Sequence, residues 1–129
     1  MGLRFLKIAV VYLVIGAMLG LTMGIVQNFA LVPVHAHILL LGWASLALAG
    51  LVYHLYPAAS ETRLARLHFW LHNIALPLFM VGLGFVLTGN EGVVPVVIVA
   101  AVTVLLGLVL FAANVLLNIK PATQASAGA

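Results

Sequence analysis

The chain is 129 residues long, 66% hydrophobic and only 5% charged, with a mean hydropathy of +1.33. A soluble domain carries about 25% charged residues, so this composition excludes a water-facing globule and requires an outer surface that meets lipid. The net charge of +3 rests on five Lys and Arg against two Asp and Glu, too few for a nucleic-acid surface, and the absence of Cys removes disulfides, thiolate metal sites and Cys-ligated haem.

Four apolar runs divide the sequence, at about 5–29, 34–56, 64–88 and 93–117. Each approaches or exceeds the ~20 residues that cross a ~30 Å hydrocarbon layer as a helix. The prediction is an all-α polytopic membrane protein: a four-transmembrane-helix up-down bundle forming one domain over 1–120. The small, polar stretch 121–129 is expected to be a disordered tail.

The first run is longer than a signal-peptide core and has no Ala-x-Ala exit, so it reads as a retained helix. Gly16, Gly20 and Gly24 recur at four-residue spacing and form a ridge for close helix packing. Gln27 and Asn28 end the run near the outer histidines. They suit hydrogen bonding to a ligating imidazole or a haem propionate, and they suit ordinary helix-end capping equally.

The second run opens with Pro33 at a helix start, where its missing N–H costs nothing. His35 and His37 follow, two residues apart and hence turned by about 200° from one another. They cannot chelate one ion together. They can each serve a different neighbour, or one can face the bundle and the other the headgroups. His54 lies seventeen residues beyond His37, about 25 Å of helix rise, near the opposite membrane face.

Pro57 to Glu61 stops the second run and precedes the third. There His68 and His72 form an i, i+4 pair on one face, and the short link brings His54 opposite them. Three converging imidazoles suit zinc or copper, or a haem ligand with a polar supporting shell. The plainer alternative places His54 and His68 in the headgroup region, with His54 between the aromatic-belt residues Tyr53 and Tyr56. His72 is deeper and is followed by Asn73, whose carbonyl Pro77 is placed to release. Trp43 and Trp70 suit either flanking a porphyrin or anchoring at the interface.

Thr88 to Gly92 forms the turn into the fourth run, where Asn114 and Asn118 are spaced to bond other helices. Arg4, Lys7, Arg63, Arg66 and Lys120 all fall on one side if the helices alternate, and only Glu91 lies opposite. The positive-inside rule then puts both termini in the cytoplasm. The sequence offers no nucleotide loop, paired carboxylates or Ser/His/Asp set, which argues against hydrolytic chemistry.

The stretch Val34-His35-Ala36-His37-Ile38, then Leu41-Gly42-Trp43, Gly50-Leu51-Val52-Tyr53-His54-Leu55 and Leu67-His68-Phe69-Trp70-Leu71-His72-Asn73, resembles the catalytic-subunit family of haem-copper oxidases and nitric oxide reductases. More narrowly, it resembles short subunit-I-like membrane proteins. The large subunit of that family has twelve core helices in three groups of four, and this chain is one group long. The resemblance places the family's His-x-His element on His35 and His37, one matching the ligand of the active-site haem and the other that of the electron-transfer haem. No His-x-x-x-Tyr element and no adjacent His pair occur here, so the family's copper site has no counterpart.

The resemblance implies a haem b protein of a bacterial cytoplasmic (inner) membrane, for electron transfer or small redox or gas chemistry with a quinol or another redox protein. Besides the two outer histidines, His72 is a candidate haem ligand. A homo-oligomer follows if neighbouring chains share each haem, His35 from one and His37 from the next, and the three groups of four suggest a trimer. The alternative is a cofactor-free membrane subunit or scaffold, or a membrane copper or zinc protein using His54, His68 and His72.

Overall fold

The computed structural model describes residues 1–119. The stretch 121–129, expected to be disordered, lies outside the described residues.

Four long helices form, all apolar enough to cross a membrane: α1 (Gly2–Val26), α2 (Val32–Leu55), α3 (Arg63–Leu87) and α4 (Val94–Asn118). The apolar runs therefore mark the spans, and the differences lie at their ends. The first run does not stay helical to residue 29. Gln27 adopts the left-handed conformation (φ 53°) with its N–H on the Met23 carbonyl, and the Asn28 side chain accepts from the Ala30 N–H at 3.0 Å. These local bonds satisfy backbone groups that the helix end would leave open.

Pro33 sits in the first turn of α2. After Leu55 the chain breaks at Tyr56, makes a single helical turn at Pro57–Ser60 and enters α3 through Thr62, whose hydroxyl accepts from the Ala65 N–H at 3.1 Å. The cap thus lies one residue beyond the predicted 57–61 link. Pro77 is accommodated inside α3. Gly89, at φ 98°, supplies the positive-φ residue that turns the chain toward α4.

The helices pair as two hairpins, α1 on α2 and α3 on α4. α2 is the most enclosed of the four, and α1 the least. One apolar cluster fills the end of the bundle that carries the N-terminus, called the inner end from the orientation expected of the sequence, around Phe5, Ala9, Leu46, Ala49 and Tyr53. A second fills the outer half, around Val34, Ile38, Leu76, Met80 and Val104. The outward faces carry Leu21, Ile25, Leu78, Val81, Ile98 and Leu105, as a lipid-facing surface requires. Lipid supplies little hydrophobic drive between helices, so close approach depends on small residues: Gly42 of α2 lies against the Tyr12 side chain of α1.

α2 is not uniformly α-helical. Residues Ile38–Ala44 form a π-helical segment between α-helical ends. Such segments contribute well under 1% of residues and cluster at functional sites.

Candidate functional site

The histidines fall into two layers. In the outer layer, His35 and His37 point to different neighbours, as their offset requires. His35 reaches α1: its Nδ1 lies 2.9 Å from the Gly16 carbonyl. A carbonyl only accepts, so Nδ1 carries the proton and Nε2 is the bare nitrogen. Gly20 provides the room, because a Cβ there would come within 2.7 Å of the imidazole. Gly16 similarly admits Leu39, while Gly24 has nothing within 4 Å of its Cβ position. The glycine ridge of α1 is therefore largely occupied within the chain, with only its outer end open.

His37 turns toward α3, where its ring meets Phe79 edge-on at 5.2 Å. Its Nδ1 donates to the Pro33 carbonyl at 2.7 Å, which again leaves Nε2 bare. Among the described residues neither Nε2 has a hydrogen-bond partner. Both residues are half-buried, less enclosed than His68 and His72.

Gln27 and Asn28 remain local. The Gln27 amide donates to the Gly24 carbonyl, Asn28 accepts from Ala30, and both side chains are exposed. Within one chain they cap the end of α1 and do not contact the outer imidazoles. Two shallow grooves near them, of about 290 and 190 Å³, are lined chiefly by apolar residues such as Leu31, Phe85 and Met23; neither touches His35 or His37.

The inner layer is a buried polar core. Asn114 of α4 is fully enclosed and is its hub. Its amide donates to the Ala59 carbonyl at 2.9 Å and to the Tyr53 hydroxyl at 3.4 Å, and its oxygen accepts from Thr62 at 2.9 Å and from Asn118 at 2.8 Å. The Tyr53 hydroxyl lies 3.2 Å from His68 Nδ1. The Tyr53 hydroxyl therefore joins Asn114 to His68 across the bundle. Phe5 stacks on the His68 ring at 5.0 Å, and Phe111 covers it at 5.2 Å.

His72 continues the layer toward the membrane centre, its ring 5.5 Å from that of His68. Its Nε2 donates to the Leu41 carbonyl of α2 at 3.0 Å, while Nδ1 is buried without a partner. Leu41 is singled out by the π segment. The Ser45 N–H still reaches five residues back, to Leu40. When four-back bonding resumes, the next donor falls on Gly42, and the Leu41 carbonyl between them is passed over. An unsatisfied carbonyl at membrane depth costs several kcal/mol, and His72 supplies the missing donor from another helix.

The expected convergence of His54 with His68 and His72 does not occur. His54 is exposed at the inner end of α2, and Tyr53 takes the inward position. Gly42, Leu46, Ala49, Gly50 and Tyr53 trace the buried stripe of that helix, and the next residue is rotated by about 100° away from it. No group of three or more His, Asp or Glu able to hold a metal ion occurs among the described residues. His68, for its part, is buried inside the bundle, between Phe5 and Phe111. Asn73 donates to the Phe69 carbonyl at 2.7 Å, with its oxygen left unpaired. Trp43 is half-buried beside the inner cluster, and Trp70 faces outward.

Sequence reading missed Phe5, Tyr53, Thr62 and the Leu41 carbonyl as parts of this core. The buried stripe of α2 was a signal for Tyr53; nothing in the run Ile38-Leu39-Leu40-Leu41-Gly42 marks a π segment.

The fold and these groups define a four-helix membrane-spanning protein with two layers of imidazoles, one half-buried and one enclosed. No family model, curated protein or solved structure matches the chain.

Proposed function

We propose that this is a membrane b-type haem protein whose haems lie between copies of the chain, with His35 of one copy and His37 of the next as axial ligands. The observation that carries this reading is the shared state of the two outer imidazoles. Each is oriented by an Nδ1–H bond to a backbone carbonyl, belongs to a half-buried residue and leaves Nε2 without a hydrogen-bond partner among the described residues. That arrangement fixes the tautomer and raises the basicity of the ligating nitrogen. The donor set therefore fits a bis-imidazole iron completed by a second chain.

A haem b so held supplies one-electron chemistry or, where an axial position is open, binding of a small gas. The residues themselves do the positioning. Gly16 provides the acceptor for His35 and Gly20 the space for its ring, while Pro33 and Phe79 hold His37. Because the two positions differ by about 3 Å in height, parallel copies of α2 offer them at nearly the same depth. A cyclic assembly uses both faces of every α2. The resemblance to a family with three groups of four helices suggests a homotrimer with about three haems. The distribution of Arg and Lys supports cytoplasmic termini, which puts the haems toward the outer face; the family resemblance suggests a bacterial inner membrane and a quinol or another redox protein as partner.

A second reading is a cofactor-free membrane subunit or scaffold. It is favoured by the absence of a converging three-ligand cluster within one described chain and by the extent to which the inner polar residues bond one another. Expression with adequate haem followed by purification in mild detergent separates the two. The haem reading predicts a Soret band that His35→Ala and His37→Ala each diminish strongly. Colourless protein that takes up no added haem supports the scaffold.

A further inference from the structure

We infer that His72 is a positioning residue for the outer half of α2: by bonding the carbonyl that the π segment passes over, it fixes the rotation at which His35 and His37 are presented. This deepens the haem reading by naming what aims its two imidazoles. The positional claim itself rests only on the geometry of α2.

A π segment holds one residue more than the α-helix it interrupts. If it relaxes to α-helical bonding, the helix on one side must rotate by about 100° and shift by about 1.5 Å. The inner half of α2 is locked by Tyr53 in the polar core and by the contact of Gly2 with the Gly50 backbone. The outer half, held by apolar packing of Val34 and Ile38 against α3 and α4, is the part that would turn. Such a turn takes His35 off the Gly16 carbonyl and His37 away from Phe79.

Besides the contacts of His35 and His37, three contacts at the π segment itself stand against it. The Ser45 hydroxyl donates to the Leu40 carbonyl at 2.9 Å, Gly42 accommodates Tyr12, and His72 donates to Leu41 at 3.0 Å. Of these three, only the last satisfies the carbonyl left without a helical donor, and it is the one hydrogen bond among them that comes from outside the α1–α2 hairpin. His72 is well fixed for the task. It has no solvent exposure, its ring abuts His68, and its backbone lies 3.5 Å from the Cβ position of Gly107 on α4.

The chain has no Cys, so introduced pairs can be spin-labelled without background. One pair, Ala36→Cys with Val81→Cys, joins exposed positions on the outer halves of α2 and α3. A control pair, Leu48→Cys with Leu67→Cys, joins exposed positions on the inner halves. In bilayers, His72→Leu is expected to move the outer distance by several ångströms, since a 100° turn at a helix radius of about 5 Å displaces a label by on the order of 8 Å. The inner distance should stay fixed. His72→Gln keeps an N–H donor at a similar reach and should retain the native outer distance. Deleting Leu41 removes the extra residue, so combining that deletion with His72→Leu should restore it.

Unchanged outer distances in His72→Leu, or His72→Gln behaving like His72→Leu, overturn the inference. Should His72→Leu alone fail to fold, the double variant decides: folded protein with the native outer distance supports the positioning role, and continued misfolding overturns it. Haem content of the same variants should rank His72→Gln with the unaltered protein and above His72→Leu. If no variant takes up haem, the haem reading fails while the distances still decide the role of His72.

Discussion

Whether an imidazole inside a membrane helix binds a cofactor or merely packs depends on which nitrogen its hydrogen bonds leave free. For His35 the answer rests on two glycines, because Gly16 supplies the carbonyl and Gly20 the space for the ring. Gly20→Ala places a methyl 2.7 Å from the imidazole, an overpacking that costs about 1–3 kcal/mol. It should lower the detergent melting temperature and displace His35 from its acceptor, reducing haem uptake. Gly24→Ala, with open space at its Cβ position, should alter neither, and thermal melts with haem titration on the two variants provide the comparison. The roughly 200° between His35 and His37 was legible from their spacing, because helical geometry alone fixes it. The acceptors that select their tautomers were not legible, since Gly16 lies nineteen residues from His35 and only the packing of α1 on α2 joins them.

At the scale of the elements, the inner polar core ties the hairpins together through Asn114. Its substitution by Leu removes one bond each from the Ala59 carbonyl and the Thr62 and Tyr53 hydroxyls, although Thr62 still reaches the Ala59 carbonyl at 3.0 Å and Tyr53 still reaches His68. The expected loss is roughly 1–2 kcal/mol, since polar contacts between membrane helices are individually modest. Asn118→Ala, at an exposed position with one bond to the hub, should cost much less. Denaturation in detergent by two-state analysis checks the ranking. Spans and links were legible because lipid imposes a length and an apolar composition on every helix. The inward choice of Tyr53 over His54 was recoverable only from the stripe of small and apolar residues through Gly42, Leu46 and Ala49. The π segment left no trace in composition, because what stabilises it is a donor on another helix, thirty-one residues away.

For the whole molecule, the account combines a bundle that stands alone in its inner half with an outer pair of imidazoles that need a neighbour. The topology is open to direct labelling, again because the chain has no Cys. A cysteine introduced at exposed Asn90 should react with an impermeant maleimide in intact cells. One at exposed Ala58 should react only after the membrane is opened. The reverse pattern contradicts cytoplasmic termini. The sharing of haem between chains is the central claim, and complementation tests it most directly. His35→Ala and His37→Ala chains carrying different tags are co-expressed, and mixed trimers are isolated through both tags and examined by native mass spectrometry and EPR. In a cyclic trimer each mixed assembly has a single interface where an intact His35 meets an intact His37. The account predicts one bis-imidazole low-spin haem per mixed trimer and none in either variant alone. Mixed assemblies without that signal, or single variants that keep the full bis-imidazole signal, would contradict it.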